Sequence, residues 1–271
     1  VRGGRMDLIT DFAYLLPLTV IASMMGVPPK ERHRFRRWSA GVTGSLEPKP
    51  TPAQVTEGNA VVEDFKQFLG ELAAERRRRP GDDLMSLLVA AEQDGDRLSD
   101  LDLLHNAAFL LNAGHETTSN LIGNGVNALF RFPDQLERLQ GDTKLSASAV
   151  EEMLRFDSPN QIGGRMPTAD VELRGVVVPA GKFIWISNGA ANRDQAAFPE
   201  PDRFDIGRTP NRHVAFGYGI HICLGAALAR LEARVAIERL VTRFPRLRPN
   251  GAPTRRPRAR HRGFSAFPVT V

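Results

Sequence analysis

One stretch of the sequence decides the fold: Phe216-Gly217-Tyr218-Gly219-Ile220-His221-Ile222-Cys223-Leu224-Gly225. The two glycines ahead of the cysteine let the backbone turn tightly and direct its N–H groups inward. A predicted helix begins after Cys223, and the positive end of its dipole favours a thiolate at that position. Gly225 leaves room for a flat ligand to approach the backbone. The stretch therefore predicts a thiolate in a tight pocket, which is what an iron–thiolate bond requires.

Cys223 is the only cysteine among the 271 residues. A single cysteine excludes a disulfide framework, and it also excludes iron–sulfur clusters and four-cysteine zinc sites built from one chain. Two alternatives remain for it, a buried structural thiol and a catalytic nucleophile activated at a helix N-terminus. His221 lies two residues away, but the local signatures of cysteine hydrolases are absent. The full ten-residue pattern favours metal ligation over both alternatives.

The part of the chain before this loop is predicted to be helical. Pro28-Pro29, Pro48 to Pro52 and Pro80-Gly81 separate the helices of residues 6–95. A longer helix is predicted from the N-cap Ser99 to about Phe130, with acidic residues in its first turn. Leu104, Ala108 and Leu111 mark one apolar face of this helix. A further helix is predicted at 146–156.

A small β portion follows. Short β-branched or aromatic runs predict strands at Val171–Leu173, Val176–Val178 and Phe183–Ile186, and residues 192–222 are rich in loop residues. The helix after Cys223 is predicted to place Leu224, Leu228, Leu231 and Val235 on one apolar face. The expected fold is mainly α with a small β portion, in a single domain that spans residues 1–271.

The net charge is +5 and comes almost entirely from arginine. The densest basic run is Arg255, Arg256, Arg258, Arg260 and Arg262. A solvated surface stretch and a nucleic-acid interface are the two interpretations of this run. No stacking aromatic residues separate the arginines, so we favour the solvated stretch and expect no nucleic-acid partner.

No segment reaches the roughly 18 unbroken apolar residues of a membrane span. Arg2 and Arg5 precede an apolar run as they would in a secretory signal, but Asp7, Asp11 and Pro17 interrupt that pattern. We therefore expect a cytoplasmic protein with no membrane partner. The first residue is valine, so the chain is expected to be a fragment.

The cysteine loop resembles the haem-binding signature of the cytochrome P-450 family, the haem-thiolate monooxygenases. The pattern F-G-x-G-x-H-x-C-x-G is highly specific, and three further motifs occur in the order found in the family. The resemblance covers essentially all 271 residues but only the later part of a usual bacterial soluble member. It implies a partial cytochrome P-450 fold without the N-terminal third, which holds the loop over the substrate and further haem contacts.

The resemblance also places Ala113-Gly114-His115-Glu116-Thr117-Thr118 on the haem face opposite the thiolate. It assigns Glu116 and Thr117 as the acid–alcohol pair that brings protons to bound dioxygen. Gly114 is expected to allow close approach of the ligand, and Thr117 to bond back to a helix carbonyl at a local distortion. His115-Glu116 also suggests a zinc protease helix, but the second histidine it needs would fall at Ser119.

The remaining assignments follow from the same resemblance. Glu152, Arg155 and Arg203 are expected to form a buried cluster that braces the cysteine loop. Arg165 and His213 are expected to bind the two haem propionates. The residues expected to hold haem b in the loop are Phe216, Gly217, Gly219, His221 and Gly225, with Cys223 on the iron. Residues expected to face substrate are Gln161, Ile162, Phe264 and Ser265.

The function that the resemblance implies is insertion of one atom of dioxygen into a small organic substrate. A ferredoxin or flavoprotein would supply electrons, because no nucleotide-binding glycine fingerprint occurs in the chain. The alternative is a truncated and catalytically silent segment of such an enzyme. The chain alone is also expected to be poorly soluble, because apolar or small residues lie on several faces of the long helix: Ala107, Phe109, Leu110, Leu111, Ala113 and Leu121.

Overall fold

The computed structural model describes residues 3–93 and 98–271. Helices dominate it, and short strands follow the helical part of the chain. The α-helices are α1 (Leu15–Met24), α2 (Phe35–Ser45), α3 (Pro52–Arg78), α4 (Leu84–Gln93), α5 (Asp100–Arg131), α6 (Pro133–Gly141), α7 (Ser146–Phe156), α8 (Asn188–Ala191) and α9 (Ala226–Arg243). In the described ranges no helix is both long and apolar enough to cross a membrane.

The strands form small antiparallel sheets. In chain order they are β1 (Arg5–Asp7), β2 (Ile162–Arg165), β3 (Val171–Leu173), β4 (Val176–Val178), β5 (Ile184–Ser187), β6 (Arg248–Pro249), β7 (Thr254–Arg255), β8 (Phe264–Ala266) and β9 (Pro268–Thr270). The C-terminal strand β9 lies between β1 and β6, while β2 pairs with β5, β3 with β4 and β7 with β8. The prediction of a mainly helical protein with a small β portion is confirmed.

The long helix α5 begins where its capping residue predicts. The Ser99 side chain accepts a hydrogen bond from the Asp102 N–H at 3.1 Å, and the Asp102 carboxylate accepts one from the Ser99 N–H at 3.3 Å. This reciprocal pair satisfies two N–H groups that a helix start leaves free. The helix ends at Arg131, two residues before Pro133, whose ring cannot continue the hydrogen-bonding pattern.

Two apolar clusters form the core, and α5 belongs to both. Its first half contributes Leu103, Ala107 and Leu111 to a cluster with α1, α2, α3 and α4, in which Trp38 stacks on Phe65 at a centroid distance of 4.5 Å. Its second half joins a cluster with α7 and α9. The polar segment in the middle of α5 is therefore held between two apolar packing regions, which fixes its position.

The predicted apolar face of α9 is wrong. Leu231 and Val235 are exposed, and Leu224 lies in the loop before the helix begins at Ala226. The face that packs against α5 and α7 includes Ala233, Ala236, Ile237 and Leu240. The predicted residues follow the helical repeat equally well but lie on the opposite, exposed side of the helix.

The exposed apolar surface also lies elsewhere than expected. On α5, Phe109 is 67% exposed, but Ala107, Leu111 and Leu121 are buried. Exposed large apolar residues are instead concentrated on the β2–β5 and β3–β4 hairpins and on the cysteine loop. They include Val176, Val177, Phe183, Trp185, Ile186, Tyr218, Ile220 and Leu224.

Candidate active site

The cysteine loop is a tight turn built on two left-handed glycines. Gly217 has φ +75° and Gly219 has φ +73°, a conformation that is costly for any residue with a Cβ. The Cys223 N–H donates to the Phe216 carbonyl at 2.9 Å, which closes the loop. Cys223 is exposed at its end, just ahead of α9. The loop therefore presents a single soft sulfur ligand to one side.

Large apolar side chains surround this thiol. Ile220 is 97% exposed and Leu224 is 90% exposed, and both Tyr218 and Ile222 are exposed as well. Such a concentration of bare apolar surface marks a binding site on a folded protein. A soft thiolate in an apolar rim fits haem, because a porphyrin is flat and apolar and its iron accepts a thiolate ligand.

A carboxylate on α7 braces the loop. Arg230 of α9 lies over the Phe216 ring, 4.5 Å from its centroid, and donates to Glu151 at 2.7 and 3.0 Å. Burial opposes ionisation of Glu151, but hydrogen bonds from His213 and Arg230 outweigh it and lower its pKa to about 2. This Glu151–Arg230 pair was missed in the sequence, although Arg230 follows Cys223 by two helical turns.

His213 is part of this brace. Its Nε2 lies 3.0 Å from a Glu151 oxygen, and its Nδ1 accepts the Ala215 N–H at 3.3 Å. Its side chain is only 2% exposed. Both ring nitrogens have protein partners here, and propionate binding by His213 stays a prediction.

The Glu152–Arg155 pair of α7 is fully buried. The Arg155 Nε and Nη2 donate to the two Glu152 oxygens, each at 2.8 Å, and both side chains are 0% exposed. The other Arg155 donors reach the backbone carbonyls of Asn192 and Pro201 at 2.9 and 2.8 Å. A guanidinium in this position joins α7 to the chain that leads toward the cysteine loop.

The third member of the cluster is Arg208 and not Arg203. The Arg208 Nε donates to Glu152 at 3.2 Å, and its side chain is 11% exposed. The Arg203 side chain is 59% exposed and pairs with Glu200. A turn in which the Arg203 N–H donates to the Glu200 carbonyl accounts for the difference, because it presents the Arg203 carbonyl to Arg155 and Arg208.

The middle of α5 carries the expected acid and alcohol. The Thr117 hydroxyl donates to the Ala113 carbonyl at 2.9 Å, which is the predicted back-bond. The helix continues without interruption from Asp100 to Arg131. Glu116 is 3% exposed.

Four donors surround the Glu116 carboxylate, two on each oxygen. Ser39 and Thr43 of α2 donate to Oε2 at 2.9 and 3.0 Å. Arg256 and Arg258 donate to Oε1 at 2.9 and 2.8 Å. Burial opposes the charge, but the two guanidinium groups outweigh it and hold the Glu116 pKa below its ordinary value.

The arginine run is consequently not a simple solvated stretch. Arg256 and Arg258 hold Glu116, and Arg255 donates to Asn124 and Asp157 at 3.0 and 2.8 Å. These partners lie 98 to 142 positions away in the chain. Each of these three arginines donates hydrogen bonds to a carboxylate or a side-chain amide. These interactions account for the partial burial of the three arginines.

Gly114 has a packing role in the structure. A Cβ at this position would lie 2.8 Å from the Ile21 side chain of α1. The glycine therefore permits close packing of α1 on α5, and close approach of a ligand at this position stays a prediction. The neighbouring His115 is fully buried, with its ring edge-on to Tyr14 at a centroid distance of 5.3 Å.

A family model described as Cytochrome P450 matches residues 45–265 of the chain. The chain belongs to the cytochrome P450 family. Cytochrome P450 107B1 of Saccharopolyspora erythraea is 49% identical over 92% of this chain and 60% of that protein. Vitamin D(3) 25-hydroxylase of Pseudonocardia autotrophica is 46% identical over 90% of this chain and 59% of that protein.

Solved cytochrome P450 structures share the fold. CYP164A2 of Mycobacterium smegmatis in its ligand-free state matches with a TM-score of 0.96 and 39% identity, over 100% of this chain and 71% of that chain. P450BioI in complex with an acyl carrier protein ligated to hexadec-9Z-enoic acid matches with a TM-score of 0.95 and 38% identity, over 99% and 69%. The chain spans about 60% of the length of the curated relatives it matches.

The remaining predicted residues of this cytochrome P450 chain are divided between surface and core. Arg165 is exposed and donates to the Gly164 carbonyl at 2.7 Å, and His221 is exposed in the loop. Gln161 and Ile162 are half-buried, and Gln161 donates to the Ser158 carbonyl. Ser265 lines a cavity beside Glu116.

Phe264 is not a pocket residue. It is 2% exposed, belongs to the apolar cluster around α7 and α9, and packs on Phe267 with ring centroids 5.1 Å apart. Strand alternation explains the difference, because successive residues of β8 point to opposite faces. Phe264 therefore points into the core while Ser265 points away from it.

One buried acid was not recognised in the sequence. Glu232 of α9 is 6% exposed, and neither carboxylate oxygen has a hydrogen-bond partner. Burial raises its pKa to about 7, and Thr118 of α5 only partly opposes this. Its position nine residues after Cys223, on the helix face that meets α5, is the signal that could have found it.

Proposed function

We propose that this chain is the haem-binding part of a monooxygenase that inserts one atom of dioxygen into an organic substrate. The observation that carries the proposal is the sole cysteine, exposed at the end of a glycine turn and surrounded by bare apolar side chains. Membership of the cytochrome P450 family supports the same reaction class.

The residues that would hold haem b are those of the loop. Cys223 would ligate the iron, with Phe216, Gly217, Gly219 and Gly225 shaping the loop. Arg165, which is exposed, and His213 would bind the propionates, and His221 lies exposed in the loop. When bound, the haem would supply an iron centre that activates dioxygen, with the thiolate favouring O–O cleavage.

The residues of α5 would handle protons. The two Glu116 oxygens differ, since Oε1 accepts from guanidinium groups and Oε2 from the hydroxyls of Ser39 and Thr43. A hydroxyl rotates away at less cost than a guanidinium leaves a buried carboxylate. We therefore assign Oε2 as the oxygen that takes up and releases the proton, and Thr117 as the hydroxyl that passes it on.

The partners of the whole protein follow from this reaction class. They are a small organic substrate, dioxygen and a ferredoxin or flavoprotein electron donor, acting together in the cytoplasm. Relatives act on different molecules by their names, including a vitamin D(3) 25-hydroxylase and a nocardicin C N-oxygenase. Because these names cover different substrates, the substrate class of this chain has to be inferred from its own residues.

The decisive test is the ligand of the iron. The chain is loaded with hemin, reduced and treated with carbon monoxide, and its spectrum is normalised to bound haem so that low uptake does not hide the ligand type. We expect the red-shifted Soret band of thiolate ligation in the parent and in the control Tyr218→Phe, and its loss in Cys223→Ser. An unchanged band in Cys223→Ser would show that another group ligates the iron.

A further inference from the structure

A cavity of about 190 Å³ opens beside Glu116, between α2, α5 and the segment that leads into α1. Its lining includes Tyr14, Arg36, Ser39, Glu116 and Arg256. Several of these side chains are firmly placed, since Tyr14, Ser39 and Glu116 are 8%, 5% and 3% exposed. Burial holds these three side chains in place, whereas Arg36 is exposed, and the cavity is large enough for a small organic molecule or several waters.

Positive charge predominates in and around this cavity. Arg36 and Arg256 line it, and Arg258 adds a third guanidinium on the Glu116 carboxylate. Glu116 is the acidic residue among the lining groups, so these four residues carry a net charge of +2. Asp7 and Asp11, on the adjoining turn, accept backbone N–H groups of that same turn and do not line the cavity.

Glu116 cannot neutralise the remaining positive charge at the cavity. Its two oxygens already accept four donors, from Ser39, Thr43, Arg256 and Arg258. Arg36 lies over the Tyr14 ring, 5.1 Å from its centroid, which places its guanidinium at the cavity without an ion pair to the carboxylate. A further anion could therefore bind between these cations without displacing a bond that Glu116 makes.

Tyr14 supplies an unused donor. Its hydroxyl is buried and forms no hydrogen bond of ordinary geometry with the described residues, although the Arg36 guanidinium is close enough to lower its pKa. Burial raises the Tyr14 pKa to about 12, so the phenol keeps its proton at neutral pH and can only donate or weakly accept. A buried donor that lacks a partner is unfavourable, which favours a ligand that offers an acceptor atom at this point.

We propose that this cavity binds the carboxylate of a small organic acid. A carboxylate offers acceptor atoms alone, matches the planar fork of Arg36 in a bidentate arrangement and keeps a free lone pair on each oxygen to accept the Tyr14 hydroxyl. It brings the net charge of the four charged residues and the ligand from +2 to +1. A neutral amide would place N–H groups against the guanidinium donors, and a cation would meet like charge.

The carboxylate has two sources, a free small acid or the acidic end of the organic substrate. The second source rests on the proposed function, since the cavity touches Glu116, the residue next to Thr117 in the chain. An acidic end held here would anchor a substrate beside the proton relay. Binding itself does not require haem, so it can be measured independently of the proposed function.

The test is calorimetric titration of the chain at pH 7 with propionate, and with propionamide as the uncharged match. We expect saturable binding of propionate and none of propionamide. Arg36→Gln should weaken propionate binding about tenfold or more, which corresponds to one charge-assisted hydrogen bond. Tyr14→Phe should weaken it about fivefold for a neutral donor, and the control Arg37→Gln, whose exposed side chain is outside the cavity lining, should bind as the parent does.

Circular dichroism and light scattering of each variant verify that it has the fold and oligomeric state of the parent. Octanoate binding more tightly than propionate would assign the site to the end of a longer substrate, and equal or weaker binding to a free acid. The proposal is overturned if propionamide binds as well as propionate, if neither binds, or if Arg37→Gln loses as much affinity as Arg36→Gln. Absence of a thiolate-type spectrum in the haem that the same protein does bind would contradict the proposed function and leave this result unaffected.

Discussion

Replacement of the buried acid Glu232 by glutamine should change how the stability of the protein depends on pH. Glu232 lies on α9 where that helix meets α5, and its carboxyl oxygens form no hydrogen bond of ordinary geometry with the described residues. The nearby Thr118 hydroxyl lowers its pKa but opposes the effect of burial only in part. The protein must therefore keep this group protonated or bear the cost of a buried charge.

The size of the effect follows from the pKa. Burial raises it from 4.5 to about 7, which at about 1.36 kcal/mol per pH unit corresponds to about 3 kcal/mol as an upper bound. Between these values the folded state holds a proton that the unfolded state has released. The free energy of unfolding therefore falls as the pH rises from about 4.5 to about 7, and the full cost applies above that range.

The assay is urea unfolding followed by circular dichroism at pH values from 5 to 9. As the pH rises across this range, the free energy of unfolding of Glu232→Gln should fall by up to about 3 kcal/mol less than that of the parent, because the amide does not ionise. Glu238→Gln is the matched control, because Glu238 lies on the same helix and is half-buried. A parent-like pH dependence in Glu232→Gln would refute the reasoning, as would an equal change in Glu238→Gln.

Three further predictions concern the brace, the relay and the exposed surface. Arg155→Ala should lower the free energy of unfolding by about 3–5 kcal/mol, because it leaves Glu152 buried with fewer partners. Arg203→Ala should change it by less than about 1 kcal/mol. Urea unfolding measures both changes. In the complete enzyme, Thr117→Ala should leave haem binding intact but lower the product formed per reducing equivalent and raise peroxide. Coupling as tight as in the parent would show that Thr117 is not in the relay. The 271 residues alone should self-associate and take up little hemin. Leu224→Ser should reduce light scattering more than Leu87→Ser, because Leu87 is an exposed leucine away from the loop. A monodisperse parent that binds stoichiometric haem would contradict this prediction.

The sequence by itself determined the local structures, because each depends on neighbouring residues. The cysteine loop needs left-handed backbone at two positions, and glycine occupies Gly217 and Gly219. The start of α5 depends on Ser99 and Asp102, which are three positions apart. The bounds of α7 and of the β3–β4 hairpin likewise agree with the sequence pattern. The back-bond from Thr117 spans one helical turn and could be anticipated for the same reason.

Only the tertiary structure decided which charges meet. Arg258 reaches Glu116 across 142 positions, and no local pattern distinguishes it from the solvated arginines of its own run. Arg208 rather than Arg203 pairs with Glu152, because a turn directs the backbone carbonyl of Arg203 toward Arg155 and Arg208 in place of its side chain. Burial decides which charged residues pair, because a charge that is removed from water is stable only beside an opposite charge. Packing can bring that opposite charge from any part of the chain. The cavity beside Glu116, with its unpaired Tyr14 hydroxyl, exists for the same reason, because segments distant in sequence enclose it.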